Sequence, residues 1–110
     1  AEDQLAYNLF LAEEAHELGL SIGLKNDLDQ VEALEPHFDW ALNEECLSYS
    51  ECELLQPFID AGKAVFHVEY VDSPGQGSDH AAEVCDEPSV VEFSTLIKTW
   101  DLDSFRIACD

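Results

Sequence analysis

Basic residues are nearly absent from this chain. Four Lys and Arg stand against 25 Asp and Glu, a formal net charge of -21, and a surface of that sign repels nucleic acid. It favours polycations, counter-ions and solubility, and it opposes compactness through self-repulsion. A salt-adapted or highly soluble surface is the bland explanation, and a cationic substrate is the sharper one. The rare cations therefore carry information: Lys25 and Lys98 both fall where strands are expected to end. Long hydrophobic runs are also missing, none approaching the roughly 18 residues of a membrane helix, so no membrane span is expected. Methionine is absent, so Ala1 is not an initiator and the chain is expected to be processed or cut from something longer. No signal peptide is visible. Cys-x2-Cys pairs do not occur and His16, His37, His67 and His80 are scattered, which argues against a zinc site.

What is present suits one small domain. At 110 residues the chain buries about 65% of its unfolded surface by the usual size scaling, with no room for a second domain. Four cysteines, at 46, 52, 85 and 109, allow three pairings. The simplest joins Cys46 to Cys52 and Cys85 to Cys109, and any such pairing implies an oxidising compartment.

The periodicity alternates between helix and strand. Glu2 to Leu18 reads as an amphipathic helix with Leu5, Leu9, Leu11, Ala12, Ala15 and Leu18 on one side, stopped by Gly19. Strands are expected at Leu20–Leu24, Phe38–Leu42, Ala64–Val68 and Phe93–Ile97. Between them, Asp27 or Asp29 caps a helix that Pro36 ends. Ser50 and Glu53 have capping-box spacing, opening a helix with Leu54, Leu55, Phe58 and Ile59 inward and Gly62 as its stop. Ser73 to Asp79 is a turn-rich loop, followed by a short helix over Asp79–Val84. Leu102 to Ala108 is read as a last helical turn closed by Cys109. Strands joined by helices run parallel with right-handed crossovers. Strictly sequential βα units belong most often to a (β/α)8 TIM barrel, of which this chain supplies about four consecutive units, a half-barrel of α/β class.

Apolar strands running into polar clusters mark where chemistry is expected. The rim so formed carries Asn26, Asp27, Asn43, Glu44, Glu69 and Lys98. Glu44 stands out, because Asp39-Trp-Ala-Leu-Asn43 carries it out of a strand and Cys46 can pin the loop beyond it. Paired carboxylates across a cleft are what glycosidic bond hydrolysis requires, one protonating the leaving oxygen and the other attacking or activating water. Trp40, Tyr49, Tyr70 and Trp100 lie near these ends and can stack on sugars. Trp40 and Phe38 are also read as core, His67 as packed within its strand, and His16 as a satisfied buried histidine. Asp79-His80 is a weak metal hint.

Gly19 to Gln30, Phe38-Asp-Trp-Ala-Leu-Asn-Glu-Glu-Cys46, Tyr49-Ser-Glu-Cys52, Ala61-Gly-Lys-Ala-Val-Phe66, Val68-Glu-Tyr70 and Phe93-Ser-Thr-Leu-Ile-Lys98 resemble glycoside hydrolase family 114, the endo-α-1,4-polygalactosaminidases. The resemblance covers nearly the whole chain. It implies a (β/α)8 barrel acting on α-1,4-linked galactosamine polymers, no metal or organic cofactor, secretion or an extracellular location, and the cysteine pairing above. It also implies that Glu44 is one of two catalytic carboxylates, the other an aspartate on an earlier strand absent from this chain. The expected partner is therefore the missing N-terminal half of the barrel or a second copy. Lys25, Asn26, Asp27, Asn43, Glu69, Tyr70 and Lys98 are expected to line subsites. Glu45 and Glu53, at the Cys46 to Cys52 loop, add acidity suited to a cationic polymer. Two other readings are a non-catalytic acidic module that binds carbohydrate or polycations, and an acidic structural protein that assembles through open sheet edges.

Overall fold

The computed structural model describes residues 2–109. The fold is α/β, built on a five-stranded, mostly parallel sheet. Strands β1 (Gly23–Lys25), β2 (Trp40–Glu44), β3 (Ala64–Val71) and β4 (Ser94–Thr99) pair in chain order as parallel neighbours. A short β5 (Ile107–Ala108) adds to β4 antiparallel. Parallel neighbours need crossover connections, and the helices supply them. The β1–β2 link holds α2 (Val31–Leu34) between two 3-10 turns, the β2–β3 link holds α3 (Gln56–Asp60), and the β3–β4 link holds α4 (Gly77–Cys85). The first helix, α1 (Glu2–Glu17), precedes the sheet and ends at Gly19, whose φ of 74° is the left-handed value that glycine adopts without a Cβ clash.

Burial alternates strictly along the strands, as the period of two demands. Ala41 and Asn43 of β2, Val65, His67, Glu69 and Val71 of β3, and Thr95, Ile97 and Thr99 of β4 are buried. The apolar members join Leu34, Leu55, Phe58, Ala81 and Val84 in one core. Among the described residues, helices therefore cover that face alone. On the other face Leu42, Val68 and Leu96 are half-buried and Phe66 is 43% exposed. Trp40 also lies there, edge-on to Phe66 at 5.7 Å. Its ring occupies the space that a Cβ at Gly23 would need, so glycine at 23 is what lets the indole lie flat across β1.

Several boundaries differ from those expected. The first strand begins at Gly23 rather than Leu20, which is exposed. β2 starts two residues later than expected and carries Asn43 and Glu44 inside the ladder, while Phe38 is core just before it. β3 runs on to Val71, so Glu69 and Tyr70 are strand residues, not strand ends. In α1 only Ala12 is fully buried, with Leu5, Leu9 and Ala15 half-buried and Leu11 and Leu18 exposed, because that helix packs against α2 and the 3-10 turn after it along a narrow strip only. His16 is exposed and bonded to Asp39 at 2.9 Å instead of being buried. Ser50 caps nothing: its φ is 57°, and a 3-10 turn (Cys52–Leu55) leads into α3 with Leu54 exposed. The capping box occurs at Ser73 and Gln76, where a 3-10 turn leads into α4 two residues before Asp79. The expected tail helix is β5, because Cys109 is drawn to the sheet by its disulfide to Cys85 and by its N–H bond to the Thr95 carbonyl at 3.0 Å. Both disulfides of the simplest pairing form, Cys46–Cys52 and Cys85–Cys109. No helix among the described residues is long and apolar enough to cross a membrane.

Candidate active site

The parallel sheet brings the C-terminal ends of β1 to β4 to one rim, and Glu44 stands on it, half-buried, on the face that no helix covers. Three contacts fix its position. The Tyr70 hydroxyl donates to Glu44 Oε1 at 2.9 Å, the Glu44 N–H donates to Asn26 Oδ1 at 2.8 Å, and Asn43 Nδ2 donates to the same oxygen at 3.3 Å. Asn26 reaches this place because the chain leaves β1 in the left-handed region, with φ of 57° at Asn26 and 51° at Asp27. Glu45 departs from β2 in the same way at 67°. Left-handed conformations at non-glycine residues cost about 1–2 kcal/mol each. Here they turn the chain off two adjacent strands beside the same carboxylate.

A cleft beside Glu44 is lined by Asn26, Asp27, Leu28, Asp29, Asn43, Tyr49 and Glu51. Burial, then the neighbouring Asp29 carboxylate, pushes the Asp27 carboxyl up from its ordinary value. Asn8 of α1 donates to it at 3.4 Å. On the other side of Glu44, Tyr70 stacks on Trp100 with ring centroids 4.3 Å apart, and Trp100 Nε1 donates to Asp72 at 3.1 Å. Those residues wall a second cleft with Asp79, His80 and Glu83. Tyr70 is the most perturbed group at the rim. Partial burial, its bond to Glu44 and the charges of Glu44 and Glu45 all favour the neutral phenol, pushing its pKa up to about 12. At neutral pH it is a fixed donor aimed at Glu44.

The expected site residues do not all share that surface. Asn26, Asp27, Asn43, Glu44 and Tyr70 meet at the clefts. Lys25 shares the sheet face of Glu44 and Tyr70, is exposed and pairs across the ladder with Leu42. Lys98, opposite Tyr70 in the register, donates to the Asp103 carbonyl at 2.6 Å and so braces the segment after β4. Asn43 reaches its cleft from the helix-covered face, where it also accepts the Cys46 N–H at 2.8 Å through Oδ1.

Glu69 belongs with Asn43 on the covered face, 1% exposed, and is not on the open rim. Burial alone pushes its carboxyl up, but hydrogen bonds from His67, Ser48 and the Leu47 N–H outweigh burial and hold it below its ordinary value. The Cys46 and Cys52 sulfurs lie within 4.8 Å of a His67 nitrogen, but they are bonded to each other rather than free as thiolates. Asp29, Glu51 and Asp72 were not singled out for the clefts from sequence. The left-handed turn after Lys25 and the closed Cys46–Cys52 loop put the first two there, and among so many acidic residues no local pattern marks them.

The fold has a counterpart among known proteins. The family model described as glycoside-hydrolase family GH114 matches residues 1–110. The crystal structure of Aspergillus fumigatus Ega3 in complex with galactosamine superposes with a TM-score of 0.86 at 35% sequence identity, over 98% of this chain and 45% of that one. The chain thus spans less than half the length of Ega3. No curated protein matches.

Proposed function

The chain belongs to glycoside-hydrolase family GH114, and from that membership we propose that it forms the C-terminal half of a hydrolase barrel cleaving α-1,4-linked galactosamine polymers. The observation that carries this reading is the placement of Glu44. It stands at the end of a parallel strand, on the open face, between two clefts, with a neutral tyrosine donating to it. Catalytic groups of (β/α)8 enzymes occupy that rim. The likeness to a protein crystallised with galactosamine supports an amino-sugar ligand, and clefts rich in Asp and Glu suit a cationic polymer.

In this proposal residues 1–110 are one part of one catalytic domain. The half-buried face bearing Trp40, Leu42, Phe66 and Leu96 becomes the barrel interior when a further N-terminal segment or a second copy covers it. Glycoside hydrolysis needs two carboxyl groups. Glu44 is one, and an aspartate on the completing part is the other. Asn26, Asp27 and Tyr70, with Lys25 and Lys98 nearby, position the sugar. Two disulfides are in keeping with secretion.

The test is product formation from an α-1,4-linked galactosamine polymer by the protein with its barrel complete, followed by mass spectrometry of the released oligosaccharides. Glu44→Gln keeps the side chain's size and removes its proton chemistry, so the rate falls by about 10³-fold. A variant that cleaves at the wild-type rate would refute the assignment. Charge favours a second reading, a non-catalytic acidic module that holds polycationic sugars. Salt-sensitive binding with no product identifies that case.

A further inference from the structure

Directly behind the rim lies a buried polar chain that the reaction itself does not call on. Thr95 Oγ1 meets His67 Nδ1 at 2.9 Å, and His67 Nε2 meets Glu69 Oε2 at 2.6 Å. Glu69 then reaches the loop that follows β2: Oε2 accepts the Leu47 N–H at 2.9 Å and Oε1 accepts the Ser48 hydroxyl at 2.6 Å. His67 and Glu69 are essentially inaccessible to solvent. An ionised carboxylate has acceptors only, so His67 must donate from Nε2, and Glu69 receives three donors from three directions.

The loop so held begins at Glu45, one residue beyond Glu44, and is closed by the Cys46–Cys52 disulfide and by the Glu51 N–H bond to the Cys46 carbonyl at 2.7 Å. It presents Tyr49 and Glu51 to the cleft beside Glu44. We propose that Glu69, oriented by His67 and Thr95, is a positioning residue that fixes this loop from behind the sheet and so sets the aim of Glu44 and the shape of its cleft. Its effect on catalysis rests on the hydrolase reading above; its effect on the loop does not.

Glutamine at 69 can keep a carbonyl oxygen toward His67 and the Leu47 N–H but turns an amide toward the Ser48 hydroxyl and replaces charge-assisted bonds by weaker neutral ones, so Glu69→Gln loosens the loop while conserving volume. Cys46 and Cys52 are buried, so a thiol reductant reaches their sulfurs only when the loop opens. The Cys85–Cys109 bond, distant in sequence, reports on the rest of the fold. The experiment measures the reduction rate of each disulfide by peptide mass mapping, together with kcat and KM on a galactosamine polymer, in the intact protein.

The expected result is that Glu69→Gln speeds reduction of Cys46–Cys52 by about tenfold or more and leaves Cys85–Cys109 unchanged. In addition, kcat falls about ten- to a hundredfold and KM changes little. Equal acceleration of both disulfides makes Glu69 a general stability element and overturns the proposal, as does no acceleration of either. Should Glu69→Gln not fold, Ser48→Ala removes one of the three donors and must show the same selective pattern at about threefold; its absence overturns the proposal equally. A wild-type protein without glycosidase activity refutes the hydrolase reading, and the two disulfide rates still decide what Glu69 does to the loop.

Discussion

Within β3, neighbouring residues lead opposite lives. Val65, His67 and Glu69 face the helices and are buried, whereas Phe66, Val68 and Tyr70 face the side that no helix covers. One step along the strand exchanges the two faces. The covered face is finished: its apolar side chains join one core, and its polar ones, Asn43, His67, Glu69 and Thr95, have hydrogen-bond partners. The open face carries Trp40, Leu42, Phe66 and Leu96 without a covering layer, and at its upper end Glu44 and Tyr70. Cohesion thus comes from one side and the candidate chemistry sits on the other. A contiguous apolar surface rimmed by polar groups marks a place where something docks, which is why the half-barrel proposal follows from this asymmetry.

The sharpest way to break that comparison uses two phenylalanines. Phe58 of α3 is fully buried and Phe66 of β3 is 43% exposed. In the 110-residue chain, Phe58→Ala is expected to cost about 3–5 kcal/mol, and Phe66→Ala under about 1 kcal/mol, because only a buried ring leaves a cavity behind. Urea unfolding reads both. Equal costs in the isolated chain contradict the picture of an unfinished face. If a further part completes the barrel as proposed, the Phe66→Ala cost in that whole protein rises toward that of Phe58→Ala, since the added layer contacts the ring.

A smaller effect sharpens the polar half of the contrast. The folded state holds Glu69 below its ordinary carboxyl value through His67, Ser48 and Leu47, despite burial. A carboxyl depressed by folding gives stability that is present above its unfolded pKa and lost as the pH falls through the folded one. Wild type therefore loses stability below about pH 5 more steeply than Glu69→Gln, as acid titration of urea midpoints shows. Asp39 has the same sign, lowered chiefly by His16 and then by the Ile22 N–H. It is exposed, so salt screens its contribution and Asp39→Asn flattens the acid limb far less. A steeper limb in Glu69→Gln than in wild type contradicts the assignment.

How much of this was legible in the sequence depends on which force set each feature. The order of helices and strands was readable because local periodicity, Gly19, Gly62 and Pro36 punctuate it. The phase of the strands was not. Both faces of β3 carry apolar residues, so alternation did not reveal that Glu69 shares a face with Val65 while Tyr70 shares one with Phe66. Nor did it reveal that the strand runs to Val71, which converts an expected rim residue into a buried anchor. β5 was missed for another reason: two residues have no periodicity, and only pairing with β4 and the bond from Cys109 to Cys85 extend them. His16 looked buried because the leucines around it suggested a broad apolar face, yet only a narrow line of α1 packs. Glu44 was legible, since an apolar strand delivers it directly to the rim.

The smallest effect tests the open face at its chemical end. The chain has three tyrosines, Tyr7, Tyr49 and Tyr70, so Tyr7→Phe with Tyr49→Phe leaves Tyr70 as the sole phenol. Its pKa of about 12 arises from burial, then from the bond and charge of Glu44, then from the charge of Glu45. Ultraviolet absorbance in that background therefore follows one late ionisation. A phenol whose folded pKa is raised stabilises the fold below its unfolded value near 10 and loses that contribution as the pH climbs through the folded one. Adding Glu44→Gln removes the nearest charge and leaves burial in place, so the titration moves down only part of the way. No movement on Glu44→Gln separates Tyr70 from Glu44 in solution. The two residues would then not act as one unit on the open face, and the donor to the proposed catalytic carboxylate would have to be sought elsewhere on the rim.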